Sequence, residues 1–419
     1  MKFIKHTTSF KKMGEYILNL LKWIVLSVII GVLCAFSGCL FHYAVDFGAH
    51  ARSINPYIVF GLPLGGILIV FLYHICKMDD DKGTNAILSS VRSAEKIPFL
   101  LAPVILTSTA ITHLFGGSAG REGAALQIGG SIGSSLARLL RLKNYSTSVL
   151  IMCGMSGLFS AVFGTPLTAA IFALEVSRVG IIHYGALFPS LVSAITAQVV
   201  AELLGVHKTA FALSFVPEFE IILSLKVIVL SLLAAVLSIV FVSAMHEGGK
   251  LFSRYIPNKY LRIVSGGFII ILLTFIVGNQ DYNGAGMDII TNAVENGQAP
   301  LFAFALKILF TSITLSSGFK GGEIVPTFFI GSTFGVFIAP FLGVNPSFAA
   351  AIGLIALFCG VVNCPVASVF LSIELFGAEA LIYFAIASAI GYFFSGNYSL
   401  YSAQEIVFSK LKAVVSENE

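Results

Sequence analysis

Long apolar runs separated by short polar turns dominate the chain. The first covers about residues 23–47, enough to cross roughly 30 Å of hydrocarbon at about 1.5 Å per helical residue. Further apolar segments lie near 57–76, 99–115, 148–163, 186–204, 222–245, 261–278, 301–315, 326–343, 347–362 and 380–394. Others, at 125–139, 166–174 and 366–373, are too short to span. The pattern predicts an all-α, polytopic membrane protein with several helices broken at membrane depth. Backbone polar groups in lipid must be satisfied internally. Such breaks are tolerated where protein or water covers them, usually at a transport site.

Composition narrows the class. Of 419 residues, 57% are hydrophobic and 11% charged, and soluble domains carry about 25% charged residues. Cytosolic enzymes, nucleic-acid binders and secreted scaffolds are therefore excluded. The net charge of +4 is too mild to imply a polyanionic partner. Cys34, Cys39, Cys76, Cys153, Cys359 and Cys364 lie in or beside apolar runs without metal-ligand spacing. They read as reduced, buried, small hydrophobes, and no metal or cofactor is expected.

The start of the chain is polar and basic rather than a cleavable signal peptide. Lys2, Lys5, Lys11, Lys12 and Lys22 against Glu15 assign residues 1–22 to the cytoplasm by the positive-inside bias. Residues 23–410 read as a single transmembrane transport domain. Residues 411–419 form a C-terminal tail, and no soluble regulatory domain is expected. The missing transit segment favours a prokaryotic cell membrane.

An internal repeat organises the domain. Gly164-Thr-Pro-Leu-Thr-Ala-Ala-Ile-Phe-Ala-Leu-Glu175 resembles Asn363-Cys-Pro-Val-Ala-Ser-Val-Phe-Leu-Ser-Ile-Glu374, with both Pro166/Pro365 and Glu175/Glu374 offset by 199 residues. Gly120-Arg-Glu-Gly123 pairs with Gly321-Gly-Glu-Ile324, where Glu122 and Glu323 are 201 apart. Each is followed by Gly-Ser, at Gly130-Ser131 and Gly331-Ser332. The halves, about 23–205 and 222–395, suit a repeat architecture with its site at the midplane.

Helices that begin inside the membrane aim unpaired N–H groups and positive dipole ends at the site, which favours an anion. Three glycine-containing motifs precede apolar helices: Lys82-Gly83-Thr84-Asn85-Ala86-Ile87, Gly117-Ser118-Ala119-Gly120-Arg121-Glu122-Gly123 and Lys320-Gly321-Gly322-Glu323-Ile324-Val325-Pro326. Glycine lets backbone approach an ion closely, and Pro326 at an early helical position costs no hydrogen bond. Ser399-Leu400-Tyr401-Ser402 offers a phenol donor.

From about residue 20 to residue 410 the chain resembles the CLC family of anion channels and anion/proton exchangers. GREGA at 120–124 is similar to the family's GREGP, GGEIVP at 321–326 to its GxFxP motif, and SLYSA at 399–403 to the helix bearing a central tyrosine, which implies a final helix near 398–412. KGTNAI at 82–87 stands where the family has GSGIP. The resemblance implies that Glu122 is the gating glutamate, competing with the anion and carrying the proton. It also implies that Thr84, Asn85 and Tyr401 surround the central anion, with backbone N–H groups around Gly123, Ile324 and Val325. Gly83, Gly120, Gly321 and Gly322 are the motif glycines. The implied fold is a CLC-type inverted-topology repeat with many tilted and broken helices. The implied assembly is a homodimer in the lipid bilayer with a separate pathway in each subunit.

Asn85 and Ile87 replace the middle glycine and terminal proline of GSGIP, and Ile324 replaces the phenylalanine of GxFxP. The G-x-N-x-I form is similar to the GNNLI filter of the fluoride/proton antiporter branch, and Glu323 after a glycine pair resembles that branch as well. Ala124 and Val325 depart from its pattern. Fluoride, small and heavily hydrated, requires several close donors, which Thr84, Asn85 and Tyr401 supply. Glu323 serves as a second acid that donates when protonated. The family's common cytoplasmic proton glutamate is absent, since Val176 stands in its place. A chloride-selective channel or chloride/proton exchanger on the same scaffold is the alternative.

Structural explanations compete with these roles. Glu122 beside Arg121, and Glu323 near Lys320, can be ion pairs, although charge at membrane depth is expensive without function. Glu175 and Glu374 end their helices and are expected to bond neighbouring backbone. His113 reads as a satisfied polar residue, Tyr401 as a possible interfacial anchor, and Asp79-Asp80-Asp81-Lys82 as a solvated loop. A remote alternative is an intramembrane serine protease, since Gly154-Met155-Ser156-Gly157 matches GxSG. That chemistry needs a facing histidine, and the repeat has no part in it.

Overall fold

The computed structural model describes residues 10–142, 145–408 and 410. The first half contains α1 (Phe10–Ile54), α2 (Leu62–Ile75), α3 (Thr84–Ser93), α4 (Leu101–Leu114), α5 (Glu122–Leu139), α6 (Tyr145–Phe163), α7 (Pro166–Glu175) and α8 (Leu187–Leu203), with strand β1 (Arg178–Val179) before α8. The second contains α9 (Ile221–Tyr255), α10 (Lys259–Val277), α11 (Met287–Glu295), α12 (Ala303–Ser316), α13 (Ile324–Leu342), α14 (Pro346–Val362), α15 (Pro365–Phe376) and α16 (Leu381–Phe394), followed by strand β2 (Glu405–Ile406). The order of long and short helices repeats: α3 and α11 have 10 and 9 residues, α5 and α13 have 18 and 19.

Burial is arranged for lipid. From Ser347 to its last residue α14 is buried, and α6 is nearly so. Large apolar side chains point outward from the flanking helices, among them Phe36, Leu40 and Phe47 of α1 and Phe268, Leu272 and Phe275 of α10. Water would oppose such a surface, whereas a bilayer solvates it. Seven helical segments of the described chain are long and apolar enough to cross a membrane.

The halves meet in reciprocal contacts. Gly120 and Gly322 form an antiparallel bridge, with N–H···O distances of 2.6 and 2.7 Å. Glu374 accepts from the N–H groups of Leu167 and Thr168 at 2.8 and 2.9 Å. Glu175 returns the arrangement, accepting from Val366 and Ala367 at 3.2 and 2.9 Å. Each glutamate thus caps the other half's short helix at its proline start, where orphan donors need partners. Removing the acceptor strands a buried donor. Glu175→Ala is expected to cost about 1–3 kcal/mol, with Glu175→Gln milder; thermal unfolding in detergent ranks the two.

Two boundaries differ from the sequence expectation. α1 begins at Phe10 rather than near residue 23. Residues 13–22 are mostly good helix formers, and no proline interrupts the chain before Pro56. The helix expected over 398–412 is absent from its described residues. Instead β2 pairs in parallel with β1, with Glu405 N bonding Ser177 O at 3.3 Å and Val407 N bonding Val179 O at 3.2 Å. Gln404 Nε2 donates to the carbonyls of Val176 and Val362 at 2.9 and 2.7 Å, so backbone and side chain of this segment are both tied to other elements rather than to a helix of their own. The tail at 411–419 lies outside the described residues.

Candidate functional site

Three helices start at the centre of the protein: α3 at Thr84, α5 at Glu122 and α13 at Ile324. Gly83 precedes the first with φ +61°, a conformation a side chain would strain. The Gly120–Gly322 bridge holds the other two starts together. Gly123 at the head of α5 lies beside Thr84 and Glu323, so the three starts meet, and the first-turn N–H groups of meeting helix starts suit an anion.

Glu122 is fully buried at the head of α5. Its Oε2 accepts from the N–H of Arg121 at 3.0 Å and of Val325 at 3.2 Å. The carboxylate therefore occupies a backbone donor expected to serve the anion. Its Oε1 has no hydrogen-bond partner and lies 3.9 Å from Arg121 Nε. Arg121 is thus ion-paired with Glu122 and shared with other groups, its Nη1 2.7 Å from His42 Nδ1 and 3.8 Å from Asp46 Oδ1 and its guanidinium 5.9 Å from the Phe163 ring centre. Phe163, Phe328 and Phe358 meet edge to face at 6.1 and 5.6 Å beside these helix starts.

Glu323 precedes α13, and its buried Oε2 also lacks a partner. A Cβ added to Gly123 would stand 3.0 Å from that oxygen and 3.4 Å from Thr84 Oγ1, so Thr84, Gly123 and Glu323 surround one point. Tyr401 is buried with its hydroxyl unpartnered. A turn brings it in, not a helix. Asn85 Oδ1 accepts from Ala403 N at 2.9 Å, so part of this side chain secures that turn. Gly321 packs against Ala119 so closely that a side chain would collide with it.

Gln127 belongs to the cluster although the motifs do not reveal it. Its Nε2 donates to Thr84 Oγ1 at 3.3 Å and to Gly123 O at 3.2 Å, while Oε1 is buried and unpartnered. The available signal was a lone amide one turn after Gly123 in a helix of small and apolar residues. Lys320, read as a neighbour of Glu323, instead pairs with Asp81 at 3.6 Å, and the Asp81 side chain is 8% exposed. The run 79–82 is thus partly built into the protein rather than wholly solvated. His113 Nε2 lies 3.2 Å from Gly120 O. Ser156 Oγ lies 3.0 Å from the carbonyl oxygens of both Cys153 and Ser190.

A broken-helix membrane fold with N–H groups and two carboxyls at its centre defines a class of ion-transporting protein. The family model described as voltage gated chloride channel matches residues 65–396. The chain belongs to this family, the CLC anion-transport proteins. It is 34% identical over 396 residues, 93% of its length and 87% of the relative's, to the chloride/fluoride channel protein of Pseudomonas syringae pv. tomato. A solved CLC-type fluoride/proton antiporter superposes with a TM-score of 0.89 at 33% identity, over 93% of this chain and 99% of that one. A slow cyanobacterial Cl⁻/H⁺ antiporter shares the fold at TM-score 0.73 and 20% identity, over 88% of this chain and 94% of its own.

Proposed function

We propose that this protein exchanges fluoride for protons across a cell membrane, with Glu122 as gate and proton carrier. The observation that carries the reading is the Glu122 carboxylate bonded to the Val325 N–H. An anion at that donor and the carboxylate exclude each other. Protonation weakens the carboxylate's hold, because charge-assisted hydrogen bonds are roughly twice as strong as neutral ones. Anion entry and proton uptake are thereby linked at one atom pair.

Thr84, Tyr401 and the N–H groups of Gly123, Ile324 and Val325 supply the anion's donors, with Asn85 beside them. Glu323 acts as the second acid. The likeness to a chloride/fluoride channel protein and to a fluoride/proton antiporter supports fluoride over chloride. Residues 23–410 form one transport domain of two repeats, with the N-terminus in the cytoplasm. Two copies assemble as a homodimer with a pathway in each. The protein transports ions and is not an enzyme; Ser156 next to backbone carbonyls offers no support for a protease.

Liposomes loaded with fluoride or chloride test the reading, using an ion electrode and a pH dye. Fluoride efflux is expected to exceed chloride efflux by about tenfold or more, equivalent to about 1.4 kcal/mol of discrimination, with protons moving the opposite way. Equal or chloride-dominated flux removes fluoride and leaves the chloride transporter.

A further inference from the structure

We propose that Asp81 and Lys320 form a positioning pair that sets the separation of Thr84 from Glu323, and thereby how tightly protons are tied to the anion. Asp81 lies three residues before Thr84, and Lys320 three before Glu323. The intervening Gly83 and Gly321-Gly322 have no side chains to keep the loops in register. The Gly322–Gly120 bridge holds the end of the second loop and the Gln127–Thr84 hydrogen bond the end of the first, and farther out this ion pair ties the two loops to each other.

The pair is built into the protein. Asp81 Oδ2 is buried, has no hydrogen bond, and faces Lys320 Nζ at 3.6 Å. Lys320 Nζ sits 4.2 Å over the Tyr73 ring of α2, so the ammonium is held between a carboxylate and an aromatic face. Lys259 and Arg262 of α10 and Asp79 line the same cavity of about 140 Å³. Lys259 Nζ donates to Asp79 O at 2.5 Å and lies 3.5 Å from Asp80 Oδ1, while Lys320 takes Asp81. A partly buried pair of this kind resists loss of one partner, because the remaining charge stays uncompensated.

Both loops end against Gly123, where Thr84 Oγ1 and Glu323 Oε2 approach the same point. With the pair intact, an anion at Thr84 meets the Glu323 carboxyl at a fixed distance. With it broken, the glycine loops relax independently and anions pass without the acid in place. Asp81 and Lys320 act through Thr84 and Glu323 and touch no ion themselves.

This inference rests on the proton-coupled reading, and its readout is the ratio of proton flux to anion flux in proteoliposomes. Asp81→Asn and Lys320→Met are expected to lower that ratio about two- to five-fold while anion flux persists. Lys320→Arg is expected to retain it. The neutral double variant Asp81→Asn/Lys320→Met removes both charges of the pair together, so it tests the idea even where a single variant fails to fold. An unchanged ratio in the folded double variant overturns the proposal and reduces the pair to a tether between α2 and α13. A wild type that moves anion without opposed protons overturns the transport reading and this inference together. A coupled wild type with unaltered variants overturns this inference alone.

Discussion

Glu122→Gln protein in liposomes is expected to move protons no faster than liposomes without protein. The amide has nearly the volume of the carboxyl, and its oxygen still reaches the N–H groups of Arg121 and Val325. It cannot carry a proton and holds no charge. The two bonds that anchor Oε2 become neutral ones, roughly half as strong, so the Val325 N–H is released to the anion more readily. Anion binding is therefore expected to tighten while proton coupling disappears. Isothermal titration with fluoride gives the first quantity, and the pH dye gives the second. Proton movement that continues against the anion in this variant removes Glu122 from its assigned role. Loss of both binding and flux, in protein that elutes normally, points instead to a structural duty for the carboxylate.

Much of this site was legible because its determinants are local. Glycine-rich breaks just before apolar runs marked the starts of α3, α5 and α13, and the repeated spacing of Pro166/Pro365 and Glu175/Glu374 announced a two-fold relation. The reciprocal caps on α7 and α15 follow from that relation. The failures are non-local. The similarity of Ser399–Ala403 to a tyrosine-bearing helix predicts a helix after α16, whereas this backbone pairs with β1 from the opposite half. Asp81 looked solvated among three aspartates because nothing nearby in sequence forecasts Lys320. The start of α1 differs for another reason: the mixed stretch 10–22, free of proline and tolerating the single Gly14, continues a helix that hydropathy alone ends early.

The largest structural effect is expected at Gly154, buried in α6. A Cβ built there falls inside the carbonyl oxygen of Gly129 on α5, and the Gly133 N–H stands 3.2 Å away. The second half repeats the contact, with a Cβ at Gly331 of α13 placed 2.6 Å from Gly353 O on α14. Close approach of small residues takes the place of a hydrophobic driving force between membrane helices. α6 cannot withdraw, because α1 and α8 pack on it as well. Overpacking without relief is expected to cost Gly154→Leu about 4 kcal/mol or more, a large share of the roughly 5–15 kcal/mol that holds a typical domain. Gly249→Leu on α9, where a Cβ meets nothing within 4 Å, serves as the control. Size-exclusion chromatography in detergent is expected to show aggregate for the first and a wild-type peak for the second. A symmetric peak and normal anion flux from Gly154→Leu would mean that α5 and α6 have room to part, and that the start of α5, with Glu122 at its head, is not held by this contact.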